Sequence, residues 1–467
     1  MRGRRATGVA SEMSSGADPE LDRPSEGGRR DGAGDFLRRP RLRLAMHRGT
    51  TAHLVAAYPF SVDQGLGHQG VYLGTNLLAG HAGFVWDPFE AYAERLTTNP
   101  NTWVLGEPGN GKSALVKGLL YRMAAVYGHG PDGRFIAIAD PKGEYRSLAE
   151  HLDIPIIRLA PGGTTRLNPL DAGPAGDRAG LEARVMRQSA MVRALTASVL
   201  GRPLQPVEET AVWQAIDTLA AIDHGDSPPT LLDVAALLAA PTEEMAVRAK
   251  TTVEDLASEA RGVWYAVDKL VNQSLRGMFD GPSTVHVDWA GPGVVLDLSA
   301  VHADTEALPL VMVAATAWLQ ELMATGPARQ RVQVLDEAWC LLAHRASAAY
   351  LQSCWKLGRT YGVANIAIAH RPSDLAAQAD DGSSTAKIAA GLLADTATKI
   401  VMRQAPDQLA QAAEWLGLSP KERELVGHLS RGQALWKIGS RSAVCLHEIA
   451  DGEVELADTD GRMRGDQ

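Results

Sequence analysis

Two patterns of apolar residues alternate along this chain of 467 residues. In the first, most positions of a short run are apolar: Asn101–Leu105, Arg134–Asp140, Pro155–Leu159, Gly293–Leu298, Val332–Asp336, Ala364–Ala369 and Thr398–Met402. Such runs predict strands buried on both faces, as in a parallel sheet covered by helices on each side. In the second, apolar residues return about every 3.6 positions. Ala114–Met123 reads as a helix directly behind the first strand, and Glu182–Val192 typifies a stretch from about 173 to 280 dominated by Ala, Leu, Glu and Arg. Strands spaced by helices predict an α/β chain with a mostly parallel, doubly wound central sheet and an inserted all-helical subdomain.

The ends read differently. Residues 50–100 hold strand-like pieces separated by glycines (Ala52–Tyr58, Val71–Gly74, Gly83–Asp87), which predict a small β-rich N-terminal lead-in to the sheet. The first 45 or so residues are rich in Arg, Gly, Ser, Asp and Pro, a composition that buries no core and predicts a disordered tail. Its Arg38–Arg43 cluster fits a solvated leader as well as a contact with anionic lipid or nucleic acid. The expected division is a tail over 1–48, sheet domain over 49–172, helical insert over 173–285, the rest of the sheet domain over 286–458, and a flexible tail over 459–467.

Composition narrows the class. Apolar residues at 45% and charged residues at 22% are ordinary for a soluble globular chain. Cys340, Cys354 and Cys445 form neither a metal spacing nor an even disulfide set, which suits a reducing cytosol. No uncharged apolar stretch of about 18 residues predicts a membrane span. The nearest, Ala307–Leu319, contains Pro309 and reads as a buried core helix. The N-terminus lacks the apolar core of a signal peptide. Residues 1–48 carry a net charge of +4 and the remainder −13. An acidic body argues against broad coating of DNA and leaves open a basic central channel.

Chemistry enters at Gly106, Glu107, Pro108, Gly109, Asn110, Gly111, Lys112 and Ser113, which fit the phosphate-binding pattern G-x-x-x-x-G-K-[ST] between a predicted strand and a predicted helix. Backbone N–H groups there, with that of Ala114, face a polyanion at a helix N-terminus. Lys112 is placed to reach the terminal phosphates of ATP and Ser113 to ligate Mg²⁺. The run Val332–Leu335 ends in Asp336 and Glu337, a Walker B pattern in which Asp336 holds Mg²⁺ and Glu337 activates water. His370, at the end of the run Ala364–Ala369, is a candidate sensor of the terminal phosphate. Arg359, Arg371 and Arg403 compete to stabilise the transition-state charge.

In order, GEPGNGKS, IADPKGEY, RLNPLD, VLDEAW, GRTYGVANIAIAHRPSDL and DTATKIVMRQ resemble the conjugation and type IV secretion ATPases, in the TraC-like, VirB-type branch of the HerA/FtsK group of RecA-like motors. The resemblance runs from about residue 55 to 458. It implies ATP hydrolysis by a ring, a homohexamer, peripheral at the cytoplasmic face of a secretion or conjugation membrane complex, with DNA or protein as cargo. It also implies that Arg359 serves the neighbouring subunit's site and that Asp140 and Glu144 belong to the nucleotide site. The chain departs from the family at His370, where the family usually has Gln. The large N-terminal domain of longer relatives has no counterpart here, so docking through it is not expected. Two other readings stay open: a DNA translocase of the HerA/FtsK kind, and a noncatalytic scaffold ordered by nucleotide. The intact Lys112, Asp336 and Glu337 speak against the scaffold.

Overall fold

The computed structural model describes residues 69–128, 133–171, 180–222, 228–288, 290–325, 329–370 and 384–457. The Arg-rich segment, the piece Ala52–Tyr58, both expected tails (apart from residue 458, also undescribed) and Arg371 lie outside these residues.

The chain opens with β1 (Val71–Asn76), β2 (Ala82–Trp86) and α1 (Pro88–Ala93), whose N-cap is the Asp87 carboxylate. Then strands alternate with helices: β3 (Thr102–Leu105), α2 (Lys112–Tyr127), β4 (Phe135–Asp140), α3 (Arg146–His151) and β5 (Ile156–Arg158). Between β5 and the next strand come α4 (Leu181–Leu200), α5 (Pro206–Ala221), α6 (Leu231–Ala239), α7 (Glu243–Ala249), α8 (Val253–Glu259) and α9 (Arg261–Lys269). The sheet resumes with β6 (Gly293–Asp297), α10 (Ala307–Thr325), β7 (Arg331–Leu335), α11 (Arg345–Tyr361), β8 (Val363–Ala369), α12 (Ser384–Asp395) and β9 (Thr398–Met402). Last come α13 (Leu409–Leu416), α14 (Pro420–His428), the hairpin β10 (Gln433–Ile438) and β11 (Arg441–His447), and the short α15 (Val454–Ala457).

The eleven strands of the described residues form one sheet in the order β2-β1-β11-β10-β9-β3-β8-β7-β4-β6-β5. From β9 to β5 every ladder is parallel, and from β9 to β2 every ladder is antiparallel. The parallel strands read as unbroken apolar runs because each face meets its own core. Trp103, Leu105, Phe135, Ala137 and Ala139 point to one cluster, and Val104, Ile136 and Ile138 to the other. The helices after β5 have no separate core, since Val192, Leu195, Val212 and Val267 belong to the same cluster as Trp103 and Phe135. Helix α10 is long and apolar enough to cross a membrane, yet 94% of that stretch is buried inside the fold.

The register aligns the strand ends that matter. Leu105 pairs with Ala369, Leu335 with Ala367 and with Ala139. The segments that follow β3, β8, β7 and β4 therefore emerge side by side at the carboxyl edge of the sheet, where ligands bind in open α/β folds.

Candidate nucleotide site

The phosphate loop follows β3 and turns into α2. Gly111 caps the helix at φ 99°, in the left-handed region where a side chain is strained. A Cβ on Gly106 would come within 2.7 Å of the Met402 side chain, so only glycine lets the loop pass β9. Lys112 is folded back onto the loop: its ammonium donates to the carbonyls of Gly106 (2.6 Å) and Glu107 (3.1 Å). Burial, with the charge of Lys142 beside it, pushes its pKa down to about 8. Ser113 and Ala114 lie in the first turn of α2, directly after Lys112.

The two acids follow β7. Asp336 is buried, and its Oδ1 accepts from the Glu337 N–H at 2.8 Å. Its Oδ2 is buried with no hydrogen-bond partner among the described residues. Burial, then the Glu337 charge, pushes the Asp336 carboxyl up to about 7. Glu337 adopts φ 52°, ψ 37°, left-handed for a residue with a Cβ, a conformation that collects at active sites. Its Oε2 accepts from the Trp339 indole, and its Oε1 from Lys142 and from His370 Nε2 (2.8 Å). Burial alone would raise this carboxyl. His370 and Lys142 outweigh that and hold it well below the usual carboxylate range.

His370, at the end of β8, links the two halves. Lys112 lies 3.0 Å from its Nδ1 and Glu337 2.8 Å from its Nε2. An ammonium has only donors, so Nδ1 accepts from Lys112, which leaves Nε2 as the ring nitrogen that donates to the carboxylate. The result is a continuous path from Lys112 through His370 to Glu337.

The box after β4 has a different internal logic. Asp140 Oδ1 accepts from the N–H groups of Lys142, Gly143 and Glu144, and Oδ2 from that of Tyr145. Its carboxylate thus folds its own loop and aims Lys142 at Glu337. Lys142 and Trp339 lie within the segments IADPKGEY and VLDEAW, where nothing in the sequence marks them as site residues. The adjacency of β4 and β7 in the sheet, which sets Lys142 against Glu337, has no local signature. Glu144 is half-buried in the same acidic field, and its charge bears on Asp336.

The arginines separate. Arg403 follows β9, and its carbonyl accepts from the Glu107 N–H at 3.4 Å, which places it beside the loop of its own chain. Arg359 sits before β8, at the opposite edge of the sheet. It is exposed in a polar hollow with Asn99, Gln352, Lys356 and Asp395. The approach of Gly358 to Asn365, 3.0 Å from a Cβ built there, seats this end of α11 against β8.

On its other side the loop opens into a cavity of about 270 Å³. Gly111, Ala114, Leu115, Gly118, Gly432 and His447 are among its walls. The turn before β10 is tied to the loop by the Gly432 N–H donating to the Asn110 carbonyl. A segment after β11 closes the far side, anchored where Arg122 donates to both oxygens of Glu453 (2.6 and 2.5 Å). Gly118 lies in mid-helix, where glycine costs about 1 kcal/mol relative to alanine. A Cβ there would meet nothing within 4 Å.

His447, in the cavity wall, accepts from the Trp436 indole at 3.1 Å, and burial with the charge of Arg122 pushes its pKa down to about 3. The unfolded chain keeps the ordinary 6.5 and takes up a proton first as pH falls. The stability due to neutral His447 is therefore complete above 6.5 and is lost toward 3. Asp336, with its raised pKa, works in the opposite sense, so a paired comparison is needed. Between about pH 7 and about pH 5, the thermal midpoint of His447→Gln should fall less steeply than that of the wild type. Parallel slopes would dismiss the imidazole as the responsible group.

No family model matches the chain, and no curated protein does. Solved structures do. VirB4 of Thermoanaerobacter pseudethanolicus aligns with a TM-score of 0.61 at 20% identity, over 84% of this chain and 99% of that one. The plasmid coupling protein TrwB aligns in complex with the ATP analogue ADPNP (TM-score 0.54, 15% identity, 83% of this chain and 91% of that one). In complex with ADP and Mg²⁺ it aligns at 0.51 and 16% identity, over 75% and 86%. With its mostly parallel sheet and its phosphate loop between β3 and α2, the chain has a RecA-like P-loop fold, the architecture it shares with VirB4 and TrwB.

Proposed function

We propose that the chain is a Mg²⁺-dependent ATPase that works in a ring of identical subunits to energise conjugative DNA transfer or type IV secretion. One observation carries the reading: a buried lysine, two buried acids and a histidine joining them meet at the carboxyl edge of adjacent parallel strands. The fold shared with VirB4 and with nucleotide-bound TrwB supports it. The residues fit the implied groups. The unpartnered Oδ2 of Asp336 and the Ser113 hydroxyl are suited to Mg²⁺, which takes few protein ligands when phosphates share it.

Bound Mg²⁺·ATP supplies the electrophilic phosphoryl group and the metal charge that steadies it. The chain's own residues do the rest. Loop amides donate to phosphate oxygens, and Lys112 exchanges the carbonyls of Gly106 and Glu107 for them. Glu337 takes the proton of the attacking water on a carboxylate oxygen. A carboxylate held this far below its usual range is a weak base. Lys142 or His370 must therefore loosen its hold on Oε1 before transfer. His370 connects the two events, since withdrawal of Lys112 from Nδ1 alters the ring that donates to Glu337. In this reading the ring works peripherally at the cytoplasmic face of the membrane, with a secretion or conjugation membrane complex and its cargo as partners.

The test is phosphate release by the purified chain with Mg²⁺ and ATP, with and without DNA, alongside particle mass. Turnover in an oligomer, abolished by Lys112→Ala, is the expected result. A wild-type chain that hydrolyses nothing under either condition would end the proposal. Strong stimulation by DNA would point to DNA as the cargo.

A further inference from the structure

We propose that Lys142 is a second phosphate-binding lysine, which tells a nucleoside triphosphate from a diphosphate by exchanging Glu337 for the terminal phosphate. The proposal rests on the nucleotide reading above and adds a residue to it. The first reason is placement. Lys142 follows β4, which lies beside β7, and its ammonium pairs with Glu337 Oε1. It also lies 3.4 Å from Nε2 of His370, whose Nδ1 is 3.0 Å from Lys112. Two lysines from separate loops thus flank one imidazole ring, where the terminal phosphate of a loop-bound triphosphate belongs.

The second reason is that the loop is held and the side chain is not. The Asp140 carboxylate gathers the N–H groups of Lys142, Gly143, Glu144 and Tyr145, so the backbone is fixed without help from the lysine side chain. Lysine carries a compact charge on a flexible four-carbon stem. The side chain of Lys142 keeps 23% of its surface exposed, whereas that of Glu337 keeps 3%. The ammonium can therefore swing while the carboxylate stays in place.

The third reason is electrostatic. Burial alone would lower the pKa of Lys142, but Glu337, with Asp336 and Glu144 behind it, outweighs burial and holds the group charged. That charge works against the protonated form of Lys112 beside it. Two ammonium groups this close repel, and an anion that takes both relieves the repulsion. A terminal phosphoryl group spreads its charge over three oxygens, more acceptors than one carboxylate offers. When Lys142 shifts to them, Glu337 loses a charged donor that weakens it as a base and retains His370 and Trp339 to orient it. A diphosphate has no group at this place and leaves the Lys142–Glu337 pair closed.

The test compares ADP with the ATP analogue ADPNP by equilibrium binding at fixed Mg²⁺. Lys142→Met should weaken ADPNP about twentyfold and leave ADP within about twofold, since one charge-assisted bond to the terminal phosphate is lost. Unchanged ADP binding also shows that the variant is folded. Lys142→Arg, which keeps the charge, should hold most of the preference for ADPNP. Removing Lys142 uncovers Glu337, whose charge by itself repels a phosphate, so the comparison is repeated in Glu337→Gln. There Lys142→Met should still weaken ADPNP about tenfold or more. A loss that vanishes in Glu337→Gln would reduce Lys142 to a counterion and overturn the proposal, as would a Lys142→Met chain that binds ADPNP like the wild type. Equal losses of ADP and ADPNP would overturn it too, since the lysine would then support the loop. A wild-type chain that binds neither nucleotide would remove the nucleotide reading itself.

Discussion

Glu337→Gln should bind ATP with an affinity within about threefold of the wild type and turn it over about a thousandfold more slowly. The separation of the two effects follows from where Glu337 stands. Its side-chain partners among the described residues are Lys142, Trp339 and His370, and the His370 ring stands between it and Lys112. The loop amides and Lys112 hold the phosphates without it. Glutamine keeps the size and one acceptor oxygen, so it can still take the Trp339 or the His370 hydrogen bond. It has no carboxylate to receive a proton and no charge to pair with Lys142. Phosphate release in a single turnover, read beside equilibrium binding, separates chemistry from affinity. Undiminished hydrolysis would strip Glu337 of the role of base.

Arg359→Ala should lower turnover by about a thousandfold with little change in the affinity for ATP, the scale on which an arginine finger acts. Within one chain Arg359 cannot reach the phosphate loop. The seven residues of β8 lie between it and His370, and at about 3.3 Å per residue they span roughly 23 Å. Head-to-tail packing would set this edge of one subunit against the carboxyl edge of the next. A mixture of Arg359→Ala and Lys112→Ala chains should then regain activity that neither has alone. With equal amounts assorting at random, about a quarter of the sites join an intact Lys112 to an intact Arg359 of the neighbour. No recovery in mixed oligomers would place the needed arginine elsewhere, with Arg403 beside the loop of its own chain as the next candidate.

The legible parts of the fold were those in which one physical demand governs consecutive residues. The parallel strands could be read because burial on both faces makes them unbroken apolar runs. The phosphate loop could be read because a single short turn contains all of its chemistry. The hairpin β10–β11 escaped: its outer positions are partly exposed, which breaks up the apolar runs. The Gly439–Ser440 pair between the two runs was the available signal. The resemblance assigns Asp140 to the nucleotide site, whereas its oxygens accept from the amides of residues 142–145. That use depends on how the loop folds back, which residue types alone do not specify. Lys142 and the cavity wall were beyond reach for a related reason. Each comes from segments far apart in the chain, joined only by strand order.

The seam between β1 and β11 has a consequence for how the protein is made. Tyr72 and Glu448, hydrogen-bonded across it, are 376 residues apart. At about 5–20 residues per second, a ribosome needs roughly 20–75 s to deliver the second after the first. Through that interval β1 and β2 wait with an unpaired edge, the kind of surface that invites association with other chains. The wall of the cavity formed by residues 431–457 is likewise made long after the loop and the α2 turn that it faces. The early strands therefore gain their last partner, and the loop its far wall, only after the whole parallel part of the sheet has been made.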